Sequence, residues 1–102
     1  MQTHDAKRVE IVIEAPLLRR LTDALEAAGV TGYSVLPVHG GSGRSGPWTA
    51  DGQVGRGGMA CVICLVAPER LDALLDGVLG VLERYLGVVS VTDAQVVRAE
   101  RF

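Results

Sequence analysis

Residues that could carry chemistry are few in this chain, and most gather in one stretch. Gly41 to Gly46 reads G-S-G-R-S-G, the spacing of a dinucleotide-binding glycine loop, and it follows an apolar run that reads as a strand. That chemistry also needs a helix opening directly behind the loop, so that its free N–H groups meet the pyrophosphate. Pro47, Trp48, Thr49, Ala50, Asp51 and Gly52 begin no amphipathic helix, so the dinucleotide reading fails. What survives is simpler. Successive glycines at 40, 41 and 43 can turn backbone N–H groups towards an anion, and Arg44 can add a bidentate guanidinium contact. The plain alternative is a solvated loop whose glycines only relieve strain.

The remaining candidates are weaker. Cys61 and Cys64 have the spacing of a metal knuckle or a redox pair, but in a strand residues three apart point to opposite faces. They read as two small buried apolar residues. His39 stands at the loop entrance with no second ligand at metal-like spacing, and His4 lies in a terminus expected to fray. The G-x-S-x-G nucleophile signature and the phosphate loop that ends in Gly-Lys are absent, the one lysine being Lys7. Trp48, the single tryptophan, is either a partner anchor or a ring folded back on its own sheet. Arg98 and Arg101, near the C-terminal end, are either solvated or part of an anion site.

These residues need elements to position them. Residues 8–14 alternate Val9, Ile11 and Ile13 against Glu10 and Glu14, the pattern of a strand. Pro16 opens a helix whose Leu18, Leu21, Leu25 and Ala28 recur at helical spacing, and Gly29 supplies its left-handed stop. Tyr33 to Val38 reads as a second strand, with Pro37 marking a sheet edge or the point where the chain leaves the sheet. Met59 to Val66 is a third strand, almost wholly apolar, as expected for one covered on both faces or at a subunit contact. A second helix opens at Pro68 and carries Leu71, Leu74, Leu75, Val78, Leu82 and Tyr85. Gly77 and Gly80 inside it read as points of close approach to the sheet. The segment from Val88 onward is two short strand-like pieces or one strand with a bulge.

The order β-α-β-loop-β-α-β predicts an α+β fold, a ferredoxin-like βαββαβ sandwich in a single domain over 1–102, with a long glycine-rich loop over 39–58. That loop holds eight of the thirteen glycines. Connections longer than about 12 to 15 residues are usually binding loops, lids or disordered segments. Helices on one face of such a sheet leave the other to be covered, and the apolar third strand points to a neighbouring subunit. Net charge of −2, with nine arginines spread along the chain, gives no basic stripe, so nucleic acid is not an expected partner. No apolar run nears the roughly 20 residues that span a bilayer, and MQTHDAKR is no signal peptide, so a cytoplasmic location is expected.

Three segments together resemble the P-II signalling family. Gly29-Val30-Thr31-Gly32-Tyr33-Ser34-Val35 is similar to its G-[IAV]-x-G-[MY]-[TS]-V motif, Gly40-Gly41-Ser42-Gly43-Arg44 opens a long loop as the family's T-loop does, and Val96-Val97-Arg98 matches its ending. The likeness covers nearly the whole chain. It is closest to the shorter P-II-like branch associated with bicarbonate uptake and carboxysomes, the SbtB and carboxysome-associated P-II type.

The resemblance implies a homotrimer with adenine nucleotides in the clefts between subunits and a T-loop that reports occupancy to a membrane transporter or a carbon-fixation protein. It implies a sensor and not an enzyme. By position, Ser34, Ile63 and Leu65 would face the adenine, and Gly40, Gly41, Gly43 and Arg44 would meet phosphate or bicarbonate. Gly87, Val88 and Val89 would form the B-loop. Arg98 would contact phosphate, with Arg101 displaced by one position because Glu100 holds the family's second arginine place. The B-loop segment has no lysine and the T-loop no tyrosine, so the implied effector is ADP or AMP, with bicarbonate near the Gly40 to Arg44 base. Two rivals share the size: a trimeric metal-tolerance protein of the CutA kind, which would show metal ligands near His39, and a weak nucleotide phosphohydrolase.

Overall fold

The computed structural model describes residues 1–49, 58–83 and 87–97. Strand β1 (His4–Glu14) leads through a single 3-10 turn, Ala15–Leu17, into helix α1 (Leu18–Ala27). Strand β2 (Ser34–Val38) is followed by a short pair, β3 (Gly40–Gly43) and β4 (Gly46–Thr49). Strand β5 (Met59–Val66), a second 3-10 turn, helix α2 (Leu71–Leu82) and strand β6 (Gly87–Val96) complete the order.

Four strands form one antiparallel sheet in the order β2-β5-β1-β6, with β3 and β4 paired apart from it. Fourth, first, third, second is the ferredoxin-like order, as expected. Alternation decides which face is buried. Val9, Ile11 and Ile13 of β1 and Val62, Cys64 and Val66 of β5 point to the helices, where they meet Leu21 and Leu25 of α1 and Leu74 and Val78 of α2. At roughly 1.5–3 kcal/mol for each fully buried large aliphatic side chain, this layer dominates the favourable side of folding.

Helix α1 ends in a Schellman motif. Val30 N–H donates to the Leu25 carbonyl at 2.9 Å and Gly29 N–H to that of Glu26 at 3.0 Å, with Gly29 at φ 87°. Pro37 does lie on an edge strand, as expected. Because proline has no N–H, its pair with Ala60 is a non-hydrogen-bonded one, and its ring stands on the outer edge of β2.

Four expectations need correction. β1 starts at His4, which pairs with Val96, so His4 is in the sheet and not frayed: polar contacts such as Lys7 to Asp93 at 2.5 Å tie this extension to β6. The last strand is one continuous piece from Gly87 to Val96. Gly77 faces α1, where a Cβ would stand 3.5 Å from the Ala24 carbonyl, and Gly80 faces open space; neither serves an approach to the sheet. Of the two readings of β5, the one with both faces covered fails among the described residues: helices cover one face only, and its buried and half-buried residues alternate strictly. Tyr85 lies outside the described residues.

Candidate functional site

The sheet face away from the helices carries much of the proposed chemistry. Cross-strand register aligns its residues in rows. Leu36, Cys61, Val12 and Val88 form one row, Ser34, Ile63, Glu10 and Ser90 the next, and Leu65, Arg8 and Thr92 a third. The β2–β5 half of this face is apolar apart from Ser34, and the β1–β6 half is polar apart from Val12 and Val88. Its centre is Glu10, whose carboxylate accepts from the Cys61 thiol at 3.7 Å and lies 3.6 Å from the Arg8 guanidinium. Ser34 and Ile63 are direct cross-strand partners and Leu65 follows on the same face, so these three do come together.

Val88 is on the same face but three strands from Leu36, about 14 Å away at the usual inter-strand spacing. Val89 points the other way, towards the helices, and packs on the core. Gly87, Val88 and Val89 are not a loop, contrary to the B-loop expectation. They pair regularly with Ile13, Val12 and Ile11. At Gly87 a Cβ would meet Leu82 Cδ2 at 2.7 Å and Ile13 Cγ2 at 3.1 Å, so the glycine lets β6 enter the sheet beneath the end of α2.

The glycine-rich base also differs from its expected form. Gly40, Gly41 and Gly43 are not at positive φ and do not build a nest of convergent N–H groups; they are strand β3, paired with β4 in the register Gly40 to Thr49, Gly41 to Trp48, Ser42 to Pro47 and Gly43 to Gly46. Arg44 and Ser45 form the turn, with Gly46 at φ 102° behind it. The signal was present in the sequence as Ser-Gly between Gly-Gly-Ser-Gly and the strand formers Trp48 and Thr49. Trp48 is half-buried because it folds back within the hairpin: its indole lies over Gly41, 3.2 Å from where a Cβ would stand. The loop's return is fixed at Gly58, whose carbonyl accepts from Ala15 N–H at 2.8 Å.

Arg44 is exposed at the hairpin tip, without an ion-pair partner among the described residues. Arg98 and Arg101 lie outside the described residues, as does most of the loop beyond Thr49. The cysteines sit on opposite faces, as the strand geometry requires. Burial pushes both thiols above their ordinary range, and for Cys61 the neighbouring Glu10 charge and hydrogen bond push further in the same direction. Among the described residues no three His, Cys, Asp or Glu side chains gather as a metal set, and His39 is exposed. No helix among them is long and apolar enough to cross a membrane.

A four-stranded sheet with one half-apolar face that no helix among the described residues covers, and a glycine hairpin following its edge strand, places the chain among small ferredoxin-like α+β proteins. The chain belongs to the P-II family: the family model described as nitrogen regulatory protein P-II matches residues 6–101. The fold is similar to that of CPII, a nitrogen regulatory PII-like protein from Thiomonas intermedia K12. A CPII structure bound to ADP, AMP and bicarbonate has a TM-score of 0.89 and 30% identity, over 99% of this chain and 96% of that one. A second, bound to ADP and bicarbonate, gives 0.86 and 32% over 99% and 97%. A PII-like signalling protein from Thermus thermophilus gives 0.79 and 26%, over 100% and 99%. None of the curated proteins matches by sequence.

Proposed function

We propose that this chain is a P-II-like regulatory sensor, a homotrimer that binds ADP or AMP, together with bicarbonate, in the clefts between its subunits. The observation that carries this reading is the likeness to CPII over almost the full length of both chains, in structures that hold ADP, AMP and bicarbonate. The layout of the candidate residues supports the inter-subunit part. Ser34 is on edge strand β2 and Val88 on the opposite edge strand β6, with Ile63 and Leu65 on β5 between them, so the candidate residues span the width of the sheet. Packing the bare faces of three copies together would bury Leu36 and Val88, now 42% and 66% exposed, and bring the two sides into register across subunits.

In this reading the apolar side chains of β5 hold the adenine, and Gly87 and Val88 let a neighbouring phosphate come close to the backbone. Arg44, Arg98 and Arg101 supply positive charge, and bicarbonate lies near the Gly40 to Arg44 base. Occupancy changes the loop over 39–58, and the loop reports to a partner, a membrane transporter or a carbon-fixation protein of the kind linked to the SbtB and carboxysome-associated branch. The protein is a cytoplasmic signalling component with no chemistry of its own. Calorimetry against AMP, ADP, ATP and cyclic AMP, each with and without bicarbonate, tests this. ADP or AMP should bind, and bicarbonate should change the affinity. If none of the four binds, the reading is wrong.

A further inference from the structure

The two edges of the β3–β4 hairpin are unlike each other. Pro47 has no N–H, so Ser42 to Pro47 must be a non-hydrogen-bonded pair, and alternation makes Gly41 to Trp48 and Gly43 to Gly46 the hydrogen-bonded ones. The close approach at Gly40, where a Cβ would lie 2.7 Å from the Trp48 carbonyl oxygen and 3.4 Å from Thr49 Cα, fits a narrow pair in the same alternation. The outer edge of β4 is therefore blunted by the Pro47 ring, just as the outer edge of β2 is blunted by Pro37. The outer edge of β3 is not. There Gly40 and Ser42 turn their N–H and C=O groups outward with the spacing of a strand, and among the described residues no bulk obstructs them.

We infer that the free edge of β3 is a docking edge for an extended segment of the partner protein, which adds to the hairpin as a third strand beside Gly40 and Ser42 and bears a carboxylate for Arg44. Three observations fix this occupant. A hairpin of four short pairs, rich in glycine, is marginal alone and gains most from a third strand. The indole of Trp48 crosses the bare Gly41, an aromatic cover over a cross-strand glycine, and so reaches towards the very edge left open. An apolar side chain opposite Gly41 would meet it. Finally, Arg44 is the one charged residue between His39 and Thr49, so the hairpin's field favours an acidic strand.

This rests on the loop being the partner-contacting segment, but it is tested apart from nucleotide binding. The probe is a set of capped hexapeptides alternating valine and threonine, with one aspartate moved through each position, added to the full chain. Trp48 is the single tryptophan, so its emission reports on the hairpin alone. At least one peptide should shift that emission and slow amide exchange at Gly40 and Ser42 about ten-fold or more. Ser42→Pro removes an outward N–H without touching a hairpin hydrogen bond. It should leave the emission of the free protein unchanged and abolish peptide binding; ADP titrated into the parent protein in parallel reads nucleotide binding separately. The same peptide with alternate amides N-methylated should not bind, a control that needs no variant. Equal binding to Ser42→Pro, protection along β6 instead of β3, self-association of the hairpins in place of peptide capture, or no binding across the set would each overturn the inference.

Discussion

The Cys61 thiol donates to the Glu10 carboxylate at 3.7 Å across the β1–β5 pair, while Cys64, three residues on, points into the core on the opposite face. The chemical consequence is inertness. Both thiols have raised pKa values, Cys61 through burial first and then through the charge and hydrogen bond of Glu10, Cys64 through burial alone. The thiolate is the nucleophile, so both cysteines should alkylate slowly at neutral pH, and the rate should climb only well into the alkaline range. Glu10→Gln removes a negative charge beside Cys61 and should speed its alkylation at pH 8 without changing Cys64. Peptide-resolved mass spectrometry after timed iodoacetamide labelling reads both rates. Equal acceleration at both sites would mean general loosening and not loss of the Glu10 charge.

Gly29 stands at φ 87° with the Arg70 guanidinium against its α-carbon, so two separate costs attach to any side chain there. A left-handed non-glycine residue costs about 1–2 kcal/mol, and a Cβ would also displace the guanidinium. Gly29→Ala should lower unfolding free energy by about 1–2 kcal/mol or slightly more in urea titrations. Combining it with Arg70→Ala should recover only the smaller, steric part. Full recovery in the double variant would show that the backbone conformation was not the main cost.

Much of this architecture was legible in the sequence, and the reasons differ by element. Gly29 after Leu18, Leu21 and Leu25 at helical spacing names a helix end, because few residues other than glycine tolerate a left-handed C′ position. Pro37 names an edge, because an interior strand would need its N–H. What escaped the sequence depended on partners distant along the chain. His4 belongs to β1 only because β6 returns to pair with it, and Gly77 faces α1 only because the helices cross there. The site divided in the same way. Ser34, Ile63 and Leu65 share a face by strand alternation, whereas the hairpin arrangement of Gly40, Gly41 and Gly43 depends on pairing with β4 that their conformational freedom conceals.

Ile63 lies on the bare face between Ser34 and Glu10, at the centre of the surface proposed to join three copies. Ile63→Glu adds a charge where three sheets would meet, and desolvating an unpaired charge costs several kcal/mol. Since the side chain is half-exposed in the single chain, the monomer fold should tolerate the change. Light scattering after size exclusion should show three chains per particle for the parent protein and one for the variant, with unaltered helical circular dichroism. A trimer that survives Ile63→Glu would place the subunit contact elsewhere.

Arg44 extends from the hairpin turn with no carboxylate paired to it among the described residues, so its charge is available to an anion. Charge-assisted hydrogen bonds contribute about 1.5–3 kcal/mol, and Arg44→Ala should therefore weaken nucleotide or bicarbonate binding by about ten- to a hundred-fold in calorimetry. Arg44→Lys separates charge from geometry. A point charge keeps the attraction but loses the two-pronged contact, so the lysine variant should fall between parent and alanine. Raising ionic strength should weaken the parent more than the alanine variant, because the parent presents one more exposed charge for salt to screen. An alanine variant with parental affinity would remove Arg44 from the ligand site and leave it as a contact for the partner alone.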